Sequence, residues 1–453
     1  MFFSTSYLLL AITLATGVSA APTSSHFRSS PSSSRFARLR LLSAPLTVRV
    51  LLTVPNASAD TCLSVITNDP SGNQIVAMNI ASNGKLSNVQ ATSAGGLGQH
   101  GITDPNGPDG MFSQGAVKVN SKAKVLVTVN PGSNTLSMFS INANNPSQLT
   151  MVGNPVSSEG EFPMSVAINE NATMVCVLNG GAVNGVNCYK PDQKLGLIPM
   201  PNTLRSLGLN QTTPATGPAG SASHVVFSED GTKLFASVKG VPPTPGFIAA
   251  WDIASDGSLS AEPVKSTPSA GGLLPFSMTV IPGMNAILAT DAGIGFDIFN
   301  FGGSSNGANA NSVNGTENAA SNLSATSSVV AIDGQKATCW SSFSSKSGNF
   351  YLTDIGTSTV TEVNVDKNLK GTIVKQYPQI ANSATIDNDI ATVGNNNFMY
   401  VLAPNATTVN VLQVNTPGKA APVQNFNFAS AAKAAKVTFD KNNLQGMTTF
   451  IKN

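Results

Sequence analysis

The 453-residue chain has little charge: only 11% of its residues are Asp, Glu, Lys or Arg, and it holds 3 His, 4 Cys and 2 Trp. With 41% hydrophobic residues, that scarcity excludes general disorder, because such a chain can bury a large core. Arginine is almost absent from the body of the chain. Five of the 6 arginines stand at 28, 35, 38, 40 and 49, no acid precedes Asp60, and from residue 51 onward 20 basic residues face 23 acidic ones, a balance of −3. A near-neutral body has no electrostatic footprint for a polyphosphate backbone, which excludes nucleic acid as a partner. No apolar run reaches the roughly eighteen residues of a transmembrane helix. Also missing are G-x-S-x-G, H-E-x-x-H, a P-loop, a dinucleotide fingerprint and a D-x-D-x-D-G loop, so neither a cofactor nor a metal is expected.

What is present begins with an export signal. Tyr7 to Ala15 is a short apolar stretch, and Val18-Ser19-Ala20 supplies small residues for cleavage, so residues 1–20 read as a secretory signal peptide. The expected destination is extracellular or in the cell wall. Residues 21–59, Ser- and Arg-rich and including His26, read as a flexible pro-segment or linker whose positive charge could hold it near an acidic cell-wall polymer. Six N-x-S/T sequons, at Asn56, Asn171, Asn210, Asn314, Asn322 and Asn405, are candidate glycosylation sites. Cys176 and Cys188 flank the Gly-rich reversal Asn179 to Gly185 and are expected to form a disulfide across a hairpin. Cys62 and Cys339 are too far apart in sequence to pair by inspection and read as buried thiols.

From residue 60 to 453 one unit repeats, at a period of about fifty residues. Each copy opens with a short apolar strand, turns through polar residues, and continues with second and third strands rich in β-branched and aromatic residues. Opening strands are visible at Gly115 to Val119, Ser165 to Ile168, His224 to Phe227, Pro275 to Met278, Trp340 to Phe343 and Ile390 to Val393. The expected fold is an all-β, seven-bladed β-propeller, counting an incomplete unit that starts at Cys62. That first unit lacks its opening strand, and Gln445 to Phe450 echoes Gln114 to Val119, so the C-terminal strand is expected to complete blade one and remove the exposed edges at the seam. The Gly/Ser/Asn-rich stretch 302–328 reads as a disordered surface insertion, and Pro201 to Ser223 as a second long loop. The closed ring is expected to be a monomer.

The blade motif Ser223-His224-Val225-Val226-Phe227-Ser228-Glu229-Asp230-Gly231, together with Gly271 to Phe276 and Asn130 to Thr135, resembles the lactonase-type seven-bladed propeller family. The resemblance is to its secreted fungal, 3-carboxymuconate cyclase-like members and covers Asp60 to Lys452. It implies lactone hydrolysis, as in 6-phosphogluconolactonase, or carboxymuconate cyclisation. The chain departs from the family's Arg-His-x-x-Phe-x-Pro-Asp-Gly at Ser223, which stands where the family has Arg, and at Lys239, which stands where a Glu often ends the next strand.

Blade topology gathers the segments that enter the innermost strands and leave the second strands at one channel face, the default place for a small ligand. The entering positions include His100, Gln114, Glu161, His224, Lys336, Asp387 and Asp389, and the leaving positions include Lys239, Asp291 and Asp354. A lactone hydrolase or cycloisomerase needs a proton carrier near neutrality and a cation for a carboxylate. His100 and His224 are therefore the candidate catalytic residues, with Arg205, Lys239, Glu161 and Gln114 as candidate substrate-binding groups and a small carboxylate or lactone as the partner. The plainer reading makes His224 a satisfied core residue, His100 and Arg205 ordinary loop residues, and the acids solvated. A non-catalytic extracellular or cell-wall glycoprotein that uses the ring as a binding scaffold is the alternative function.

Overall fold

The computed structural model describes residues 60–103, 106–302 and 325–452. The expected signal and linker segments, the sequons at Asn56, Asn314 and Asn322, and most of the 302–328 stretch lie outside the described residues.

Seven antiparallel sheets form the blades, and in all but blade one the main strands follow one another outward in chain order. The second strands explain the sequence pattern. Val125–Asn130, Ala286–Asp291 and Asn349–Asp354 are buried at every residue because each blade packs against a neighbour on both faces, which rewards β-branched and aromatic side chains without alternation. A fully buried Val, Leu or Phe contributes about 1.5–3 kcal/mol, so the core lies between blades rather than along the axis. Outer strands such as Leu86–Ser93 are largely exposed and polar. At the foot of blade four, Asp230 Oδ1 accepts from Ser228 Oγ at 2.6 Å and Thr232 N at 3.0 Å, and Gly231 adopts φ +71°. That turn is the physical content of the Asp-Gly in the blade motif.

Blade one consists of Thr61–Ile66, Gln74–Ile80 and Leu86–Ser93, with Gln445–Ile451 as its innermost strand in the register Cys62↔Phe450 and Leu63↔Thr449. The C-terminal strand completes blade one, as its sequence echo implies. The other innermost strands are Val117–Asn120, Pro163–Ile168, Ala222–Phe227, Pro275–Val280, Thr338–Ser344 and Asn388–Val393. Cys176 and Cys188 face each other on adjacent strands of blade three and are bonded, with an S–S distance of 2.07 Å. Cys62 and Cys339 are buried free thiols.

Three local features differ from expectation. The outer strand of blade five, Thr326–Ala331, begins inside the stretch read as an insertion, because its residues complete a ladder with Gly295–Asn300. The second blade opens at Val117 rather than Gly115, since Gln114 and Gly115 belong to a loop in the channel. A short helix, Phe428–Ala434, joins blade seven to the closing strand; Asn427 caps it by accepting from Ser430 N at 2.8 Å, and Phe428 and Ala432 are its buried residues. Among the described residues no helix is long and apolar enough to cross a membrane.

Candidate functional site

The innermost strands begin at one end of the channel, here the upper end, and finish at the lower. The upper end is filled by the chain's own segment Asp109 to Gln114, buried throughout. Asp109 and Phe112 adopt φ +70° and +55°, and Asp109 Oδ1 accepts from Ser113 N at 3.2 Å, which folds the segment into a tight turn. Blades far apart in sequence hold it there. Trp340 Nε1 donates to Ser113 O at 3.0 Å, Ser113 Oγ donates to Met164 O at 2.8 Å, and Gln445 Nε2 donates to Asp109 Oδ1 at 3.0 Å and Ser113 O at 2.9 Å. Gln114 spans the axis, donating to Ser341 O at 3.0 Å and accepting from Ser341 N at 3.1 Å. The Phe112 ring lies against Gly101 and Gly217, where a Cβ would come within 2.5 Å and 2.4 Å of it.

This plug uses groups expected to meet a ligand. The buried Lys239 Nζ donates to Phe112 O at 2.9 Å, Ala222 O at 3.0 Å and Ser223 Oγ, and lies 4.6 Å from the centre of the Phe276 ring. Burial pushes the Lys239 ammonium down and the Asp109 carboxyl up, and each opposes the other's shift through its charge. Gln114 is committed to Ser341. Arg205 stands at the outer rim of blade three, where its guanidinium donates to the carbonyls of Asn202, Leu204, Leu259 and Ser260. Glu161 accepts from Thr213 Oγ1 beside the loop that precedes blade four. The upper acids are engaged as well: Asp291 accepts from Leu273 N and Leu274 N at 2.7 and 2.8 Å, and Asp354 from Lys336 N and Gly356 N at 2.8 Å.

The two propeller histidines are not brought together. His100 packs on Gly110 with its ring nitrogens 2.7 Å from Gly101 O and 2.8 Å from Gly107 O. His224 lies at the other end of the plug, beside Gly115. Its Nδ1 accepts from Met278 N at 3.0 Å, so the proton of the neutral ring sits on Nε2, a buried atom without a partner. Burial, and then the charge of Lys118, hold this imidazole well below its ordinary pKa.

Below the plug the channel opens through a cavity of about 430 Å³ lined by Lys118, Ile168, Glu170, Val226, Glu229 and Pro282 among others. Lys118 Nζ makes no hydrogen bond or ion pair among the described residues, and its charge also acts on Asp387 and Asp389. Asp387 Oδ2 accepts from Gly446 N at 2.8 Å and Gln445 Nε2 at 3.1 Å, leaving Oδ1 without a hydrogen bond. Burial, reinforced by Asp109, pushes its carboxyl up to about 8, so it is largely protonated at neutral pH. Asp389, raised by burial, accepts from Thr449 N at 2.7 Å and Oγ1 at 3.0 Å. Lys118 is the one of these groups that lines the chamber; His224, Asp387 and Asp389 are buried beside the innermost strands, within reach of its charge.

A family model described as a lactonase, seven-bladed β-propeller, matches residues 71–208. The periplasmic gluconolactonase of Pseudomonas aeruginosa superposes with a TM-score of 0.56 at 14% identity, covering 81% of this chain and 96% of that one. A 6-phosphogluconolactonase candidate from Bacteroides fragilis gives a TM-score of 0.56 at 14% identity, with 87% and 99% coverage. The fold is that of the lactonase-type propellers. No curated protein sequence matches the chain.

Within this seven-bladed propeller, Lys118, Asp109 and the plug lie outside the candidate residues named from the sequence. Two signals pointed to them. Met111-Phe112 is an apolar pair inside a polar loop, which demands burial, and Lys118 is a charge in an innermost strand between Val117 and Val119. Asn171, Asn210 and Asn405, the described sequons, are all exposed.

Proposed function

We propose that the protein is a secreted lactonase-family enzyme acting on a small lactone, or the related unsaturated acid, that carries a carboxylate, as the 3-carboxymuconate cyclase-like resemblance implies. The observation that carries this reading is Lys118, a cation of the lower chamber without a partner among the described residues, whose charge acts on the buried His224, with its unpartnered Nε2–H, and on Asp387. Lys118 holds the substrate carboxylate. His224 donates to the lactone carbonyl and stabilises the oxyanion as a neutral donor, not as the proton carrier expected from its residue type. Water adds at the carbonyl carbon, giving its proton to Asp389, the ring C–O bond breaks, and Asp387 protonates the leaving alkoxide. Carboxylated and neutral lactones offered to the purified protein in a pH-stat test this, with turnover of a carboxylated member expected. Turnover of none would leave the ring as an extracellular binding scaffold.

A further inference from the structure

A second concavity lies away from the channel, between blades seven and one, reaching the Asn144-Asn145 turn of blade two. Its volume, about 1370 Å³, exceeds the roughly 300–1,000 Å³ of ordinary small-molecule sites and suits an oligomer. Its lining is almost without charge. Asp60 and Lys452 are its charged residues, and they bond to each other at 3.0 Å. Six amide and hydroxyl side chains face it from Asn79, Ser82, Ser87, Asn88, Gln90 and Asn144, and none of them hydrogen-bonds to a described residue. The buried Asn79 Oδ1 is one of the unsatisfied atoms of the molecule. A β-bulge shapes this wall: Asn79 pairs with Ser87 and Met78 with Val89, so Asn88, at φ +47°, is the extra residue outside the ladder. The half-buried Phe426 ring forms part of the opposite wall.

We propose that this groove binds a neutral oligosaccharide. Amides and hydroxyls offer paired donors and acceptors to sugar hydroxyls, an aromatic ring can cover the apolar face of a sugar, and the internally neutralised Asp60–Lys452 pair gives no preference for an ionic ligand. The proposal stands apart from the channel chemistry.

Calorimetric titration of the whole protein with laminarihexaose, mannohexaose, chitohexaose and an anionic hexagalacturonate tests it. One neutral hexaose is expected to bind, and the double variant Asn88→Gly, Gln90→Ala should weaken it about tenfold or more by removing two hydrogen-bonding groups. Glycine suits the positive φ at position 88, and tryptophan fluorescence on unfolding checks that the variant remains folded. Absence of binding by all three neutral hexaoses, tighter binding of the hexagalacturonate, or unchanged affinity in the folded double variant would each overturn the proposal.

Discussion

Removal of the closing strand should collapse the ring, and a single side chain within it allows the effect to be graded. Phe450 and Met447 are buried to within a few per cent and face different halves of the molecule: Phe450 packs in the hydrophobic cluster that runs through blades two to four, Met447 in the one shared by blades one and seven. The strand is therefore a two-sided clamp at the seam. Truncating Phe450 to Ala leaves a cavity and should cost about 3–5 kcal/mol. Deleting 445–453 removes both anchors, the ladder to Thr61–Ile66 and the Gln445 bonds to the plug, a loss comparable with the roughly 5–15 kcal/mol that holds a typical domain. Trp251 and Trp340 are fully buried and report unfolding by fluorescence in urea. Phe450→Ala should lower the midpoint clearly, the deletion should give no cooperative transition, and Lys452→Ala, which breaks only the exposed pair with Asp60, should change stability by less than about 1 kcal/mol. A deletion variant that unfolds at the wild-type midpoint would refute the closure.

Other outcomes follow from the same structure. Reduction of Cys176–Cys188 should destabilise the protein by about 3 kcal/mol, and peptide mapping without reduction should recover the two cysteines in one linked fragment; two free thiols would contradict it. Burial, and then the adjacent Asp291, push Asp297 up to about 9, so the folded state holds a proton that the unfolded state has released above its ordinary pKa near 4. Stability from this group is greatest at low pH and falls by about 1.4 kcal/mol per pH unit until the folded pKa is passed. Asp297→Asn should flatten that fall in urea titrations between pH 5 and 8, and an unchanged slope would count against it. Gln114→Ala removes the bridge to Ser341 and should speed amide exchange across residues 109–114, while exchange as slow as wild type would show that the plug does not depend on it.

The ring was legible in the sequence because its signals are local: turn residues such as Asp230-Gly231 recur between apolar runs, and the echo between Gln114 to Val119 and Gln445 to Phe450 exposes the shared strand. The site was less legible because its contacts are distant. Gln114 meets Ser341 across 227 positions, and Gln445 meets Asp109 across 336, distances over which no periodic pattern informs. Convergence at the upper face was anticipated from blade geometry, but not that the converging groups would satisfy one another around Met111-Phe112. At His224 the Met278 N–H fixes the tautomer and leaves the proton on Nε2, a detail that residue type alone does not specify.

The most direct test of the channel assignment is steady-state kinetics of wild type and Lys118→Gln on a carboxylated lactone and on its neutral ester. Lys118 is placed to bind the carboxylate equally in ground and transition states, so the variant should raise KM for the acid about 10- to 100-fold with kcat little changed, and should leave the ester unaffected. Equal kcat/KM for the acid in the two proteins would contradict the account.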